Sequence, residues 1–193
     1  MSQPLSQHIK RVFSTDTTPD LWQTRFYLLI GIYLVIILIT FTEYGITIDE
    51  PPQVEYGQEI IKWYQSFFQY RGYFERVATL DLERYGGLFE TLAYPFTRIL
   101  PFSVYDTRHL CNALIGLTGI VAAYRLGTAL GSPALGLLGA CFLLLTPRYY
   151  GHTFNNPKDL PFAVFYLWSI YAIIQCLSDL PHLSWKRIGL TGL

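Results

Sequence analysis

The residues best suited to chemistry fall in two polar clusters on an otherwise apolar chain. The first is Ile46-Thr47-Ile48-Asp49-Glu50-Pro51-Pro52, two adjacent carboxylates just past a long apolar run. The second runs from Arg148 to Asp159 at the end of a later apolar run. Ionisable groups beside hydrocarbon are expensive to keep and tend to mark function. A carboxylate partly withdrawn from water there gains affinity for a proton or a cation. Asp49 therefore fits a general base that takes a proton from an attacking hydroxyl, or a ligand of a divalent metal cation. It equally fits a solvated flank that caps a helix with proline near its start. In the second cluster, Arg148, His152, Asn155, Asn156, Lys158 and Asp159 place two cations, a histidine and a carboxylate within twelve residues. Such a set suits a phosphate group, with Arg offering a planar fork to its oxygens and Lys a point charge. Snorkelling by Arg148 and Lys158, with helix capping by Asp159, is the plainer account of the same residues.

Composition says where these clusters must work. Of 193 residues, 51% are hydrophobic and only 15% charged, at zero formal net charge. Soluble domains carry about 25% charged residues, so the balance points to a membrane protein. Neutral charge gives no reason to expect nucleic acid as a partner. Aromatic residues reach 17%, and Tyr and Trp favour the lipid–water boundary. Cys111, Cys141 and Cys176 each sit in an apolar run, at no metal or disulfide spacing, and read as packing residues. The histidines form no H-E-x-x-H pair.

Apolar periodicity then supplies the frame: an all-α polytopic membrane protein with about four transmembrane helices. Residues 1–25 form a polar leader whose Lys10, Arg11 and Arg25 favour the cytoplasmic side. Crossings are expected over about 26–44, 109–130, 133–150 and 160–178, leaving 45–108 as a long first outer loop. Within that loop the apolar residues from Gln53 to Tyr70 recur at helical spacing, as in an amphipathic juxtamembrane helix lying in the interface and ended by Arg71-Gly72. Leu88 to Leu100 reads as a second short helix. Ser132-Pro133 is a helix start, and Asp159 can cap the fourth crossing. Residues 188–193 look like the start of a fifth crossing, so the chain reads as the N-terminal part of a larger protein. With the N-terminus cytoplasmic, both polar clusters emerge on the extracytoplasmic face of the cell membrane and can share one cavity.

The order of these features carries a resemblance. Asp49-Glu50 after a first crossing, an amphipathic loop with Tyr85-Gly86-Gly87-Leu88-Phe89, then Pro147-Arg148 through His152 to Asn156-Pro157-Lys158-Asp159 resembles the N-terminal half of a GT-C membrane glycosyltransferase. The nearest branch is the protein O-mannosyltransferase and lipid A aminoarabinose transferase group. The likeness spans nearly the whole chain, in order and spacing rather than identity. It implies transfer, with inversion, of a sugar from a polyprenyl-phosphate carrier to an acceptor (protein, lipid or cell-envelope glycan). It implies Asp49, Glu50 and Asp159 as catalytic acids, and Arg148, His152, Asn156 and Lys158 as donor-binding residues, with Asp49 and His152 the candidates for any divalent metal. A transporter or flippase fragment would instead need charges near mid-membrane, which the crossings largely lack. A non-catalytic scaffold would tolerate loss of both Asp49 and Asp159.

Overall fold

The computed structural model describes residues 21–79, 82 and 86–178. The leader through residue 20, Arg84 and Tyr85, and the expected fifth crossing lie outside them. Among the described residues there are eight helices and no strand: α1 Leu21–Thr40, α2 Glu50–Gln65, α3 Gly72–Thr79, α4 Leu88–Ile99, α5 Val104–Leu130, α6 Pro133–Leu145, α7 Pro147–Asn155 and α8 Asp159–Ser178. Three of them, α1, α5 and α8, are long and apolar enough to cross a membrane, with mean hydropathy of 1.8, 1.5 and 1.7. Leu28, Ile32, Val35 and Ile39 on α1, and Phe162, Tyr166 and Ile173 on α8, point outward rather than into protein. Such apolar exposure is what lipid covers.

The chain divides into two compact units, 1–35 with 116–149 and 163–193, and 36–115 with 150–162. In the first, α5 and α6 form an antiparallel pair joined by Gly131-Ser132. Ser132 is extended, its Oγ accepts the Leu135 N–H at 3.3 Å, and Pro133 opens the helix, as its turn chemistry dictates. Small residues let the two backbones approach. A Cβ on Gly127 would lie 2.8 Å from the Gly136 Cα, and one on Gly136 would strike the Thr128 side chain and the Tyr124 carbonyl. Phe26 stacks on buried Tyr124 at 3.7 Å, and the Tyr149 hydroxyl donates to the Gly116 carbonyl at 2.6 Å.

The expected third crossing over 133–150 is divided. At 13 residues, α6 is roughly 20 Å long against a hydrocarbon core of about 30 Å. Thr146 ends it in an extended conformation, the usual constraint on a residue before proline, and Pro147 opens the separate helix α7. Residues 148–150, expected at the end of that crossing, belong instead to this second helix, which runs through Asn155.

In the second unit, α2 buries Tyr56 and Ile60 against Val77 and Leu82, with Tyr73 packed beside them. Trp63 stacks on Tyr73 at 5.4 Å. The helix stops at Gln65, short of the expected Arg71-Gly72, because Phe67 and Phe68 take left-handed φ values of 52° and 69°. Bulky residues rarely adopt that conformation, and here both rings stay exposed. Gly57 lets α4 approach α2: a Cβ there would sit 3.2 Å from the Glu90 carboxylate. Helix α5 begins at Val104, earlier than expected, because Ser103 caps it; its Oγ accepts the Asp106 N–H at 3.1 Å and donates to the Asp106 carboxylate at 2.7 Å.

The tight α5–α6 contact is testable. Gly136→Leu should lower the thermal unfolding midpoint in detergent micelles, by a cost of about 1–3 kcal/mol for overpacking. Gly139→Ala, where the nearest atom to a new Cβ lies 3.9 Å away, should leave it unchanged or raise it.

Candidate functional site

The second unit holds the C-terminal end of α1, the N-terminal ends of α5 and α8, and all of α2 to α4. Asp49 and Glu50, at the start of α2, are neighbours with opposite fates. Successive helical residues point about 100° apart, so one can face inward and the next outward. The Glu50 side chain is about 2% exposed and that of Asp49 61%.

Glu50 is bonded at both oxygens. Its Oε1 lies 2.7 Å from His109 Nε2, and its Oε2 accepts the Thr47 N–H at 2.6 Å and the Thr47 hydroxyl at 3.0 Å. Burial pushes the Glu50 carboxyl up, but the bonds from His109 and Thr47 outweigh it and leave the group below its ordinary 4.5. His109 is equally buried, and its Nδ1 has no hydrogen-bond partner among the described residues. The next link is on the same helix. Arg108 grips Glu90 in a two-pronged ion pair at 2.5 and 2.8 Å, both side chains buried, with the guanidinium 5.3 Å from the centre of the Phe89 ring. Burial pushes the Glu90 carboxyl up, and the guanidinium draws it back only in part. One turn on, the Asn112 amide donates to the carbonyls of His152 and Thr153, both at 3.0 Å. Helix α5 thus ties α2, α4 and the end of α7 to one place.

The two polar clusters meet in this unit. Lys158 Nζ lies 3.2 Å from Asp49 Oδ2, across 109 positions of sequence. The Thr47 hydroxyl makes a long 3.4 Å bond to the Asn155 carbonyl. Tyr44 stacks on buried Phe154 at 3.8 Å, and its hydroxyl reaches that of Tyr150 at 3.1 Å. Asn156 organises the turn into α8. Its Oδ1 accepts the backbone N–H groups of Asp159 at 2.9 Å and Lys158 at 3.3 Å, and its Nδ2 lies 3.0 Å from the Asp159 carboxylate and 2.8 Å from His152 Nδ1.

Two sequence expectations are corrected here. Asp159 is not the cap of α8 but its first residue, and Asn156 does the capping. Asp49 occupies the cap position of α2 without bonding its backbone, because its carboxylate is turned to Lys158. Arg148 is exposed in the first turn of α7 and belongs to the other unit. Among the described residues no three His, Cys, Asp or Glu side chains are grouped to hold a metal ion; Asp49 faces Lys158 and His152 faces Asn156. Sequence reasoning missed Arg108, His109 and Asn112, three polar residues at the head of an apolar helix, and their partner Glu90. Their clustering at the mouth of a crossing was the available signal.

The chain matches no family model, no curated protein and no solved structure.

The buried Glu50–His109 bond sets a pH dependence. A carboxyl held below its ordinary value adds stability above about pH 4.5, and this is lost as pH falls through the lower folded value. Glu50→Gln should therefore lower the unfolding midpoint at neutral pH, by about 1–3 kcal/mol, and the gap to wild type should close below about pH 4. Unfolding curves between pH 3 and 8 measure both.

Proposed function

We propose that this chain is a membrane glycosyltransferase of the GT-C kind, moving a sugar from a polyprenyl-phosphate carrier to an acceptor hydroxyl or amine. The observation that carries the reading is the approach of exposed Asp49 to Lys158 at 3.2 Å. An accessible carboxylate and a cation, brought from distant segments to one place, are what this transfer needs. Asp49 takes the acceptor proton as the acceptor atom bonds to the anomeric carbon. The bond from that carbon to the phosphate oxygen breaks, the electron pair leaves with the polyprenyl phosphate, and the configuration inverts. Lys158 neutralises charge growing on the leaving phosphate. A donor phosphate that draws Lys158 away would free Asp49 to act as base.

The neighbouring acids take other parts. Glu50 has both oxygens bonded and no exposed surface to offer, so it and His109 are positioning residues that fix the start of α2. Asn156 and Asp159 hold the turn that presents Lys158. Support for one-sided placement comes from which helix ends lie in the unit. The end of α1 and the starts of α5 and α8 are all there, so helices crossing by these ends would open on one face. In this arrangement α6 makes a fourth crossing together with α7, and the site faces the extracytoplasmic side.

A non-catalytic scaffold is favoured by one observation, that Asp49 already has an ion-pair partner. Transfer assays separate the two. Purified protein in lipid nanodiscs, given polyprenyl-phosphate hexose and pentose donors, should release polyprenyl phosphate. Asp49→Asn should cut turnover by roughly 10²–10⁴-fold with an unchanged unfolding midpoint. Lys158→Gln should raise KM for the donor. Turnover of Asp49→Asn at the wild-type rate would remove Asp49 from the chemistry and leave the scaffold.

A further inference from the structure

A second, separate polar site lies between α2, α4 and the start of α5. There a cavity of about 130 Å³ is lined by Gly57, Gln58, Tyr94, Thr97, Arg98 and Arg108, with two valines completing the wall. All of these residues belong to one compact unit. The two charged side chains in the lining are both cations. Arg108 is more than nine-tenths buried, and its Nε has no hydrogen-bond partner among the described residues.

The other groups match it in sign. Arg98 lies against Tyr94, donating to its hydroxyl at 2.9 Å with the guanidinium 5.2 Å from the ring centre. A phenol that accepts one bond retains its own proton to donate. Gln58 carries an amide N–H₂, whereas the Thr97 hydroxyl spends its one proton on the Tyr94 carbonyl. Nearby acids are already engaged: Glu90 with Arg108, Glu55 with Arg76, and Asp106 with Ser103. The lining is therefore rich in donors and carries one cation beyond the Arg108–Glu90 pair. Its volume holds a few waters' worth of matter, at about 30 Å³ each, and is too small for a sugar or a lipid chain.

We propose that this cavity binds a phosphate group, either free phosphate or the headgroup of an anionic lipid. The Arg98 and Arg108 guanidinium groups supply positive charge in the wall, Arg98 supplies charge-assisted bonds, and Tyr94 and Gln58 supply neutral ones. Several converging donors suit the three or four oxygens of a phosphate better than the two of a carboxylate. The assignment does not depend on the glycosyltransferase reading, and its residues are not those placed at Asp49.

Thermal unfolding of the purified chain tests it in two settings. In maltoside micelles, inorganic phosphate should raise the midpoint in a saturable way, while acetate and chloride at equal ionic strength should not. In phosphatidylcholine nanodiscs, added phosphatidic acid should do the same. A rise in micelles identifies free phosphate as sufficient, and a rise confined to nanodiscs identifies the lipid headgroup. Arg98→Gln, an exposed position, should weaken the response roughly tenfold. The paired variant Glu90→Gln with Arg108→Gln, which strands no charge, should abolish it. Lys158→Gln should leave it intact, which separates this site from a carrier phosphate at the other cluster. No rise in either setting, an equal rise with acetate, or a rise that survives Arg98→Gln but is lost in Lys158→Gln would overturn the proposal.

Discussion

The first three turns of α5 are the constraint on which the second unit depends. Arg108, His109 and Asn112 project within an arc of roughly 100° on that helix. Each holds a different element: Arg108 grips Glu90 on α4, His109 bonds Glu50 on α2, and Asn112 takes two carbonyls at the end of α7. All three are buried, so no bond can be exchanged for one to water at little cost. Losing one partner of such a pair strands the other, with a penalty of about 3–5 kcal/mol for a buried ion pair. The value of the cluster lies less in net stability, where burial offsets attraction, than in allowing each segment one position.

That anchoring explains the division of labour between adjacent residues. Glu50 faces the α5 cluster and is saturated, whereas Asp49, one residue earlier, faces Lys158 and remains accessible. In the proposed transfer the reacting group must be reachable and its support must not move. Adjacent positions at a helix start meet both needs, because the residue that anchors the turn also aims its neighbour. Asn156 plays the same part for Lys158, capping α8 with its oxygen while its nitrogen bridges Asp159 and His152. Arg108, whose fork holds Glu90, also lines the cavity between α2, α4 and the start of α5.

Much of the frame was legible in the sequence. Long apolar runs mark α1, α5 and α8, because a chain that must hide its backbone from lipid has few alternatives to a continuous helix. Ser132-Pro133 marks the start of α6, and the alternation of apolar and polar residues after Pro52 marks α2. The boundaries that went astray have local causes that composition hides. Pro147 breaks what reads as one apolar run, Ser103 starts α5 a turn before its apolar part, and Phe67-Phe68 turn the chain where no glycine signals it.

Local patterns thus determined which segments are helical, which are apolar enough for lipid, and that two acids stand at the end of the first run. Only the tertiary structure decided which polar groups meet. The partnership of Asp49 with Lys158 spans 109 positions and that of Glu50 with His109 spans 59. Neither has a periodicity that a one-dimensional reading can detect. Whether a carboxylate ends up as buried anchor or exposed ion-pair partner is a matter of desolvation and of which donors surround it, and those are set by the packing of α2, α4 and α7 around α5.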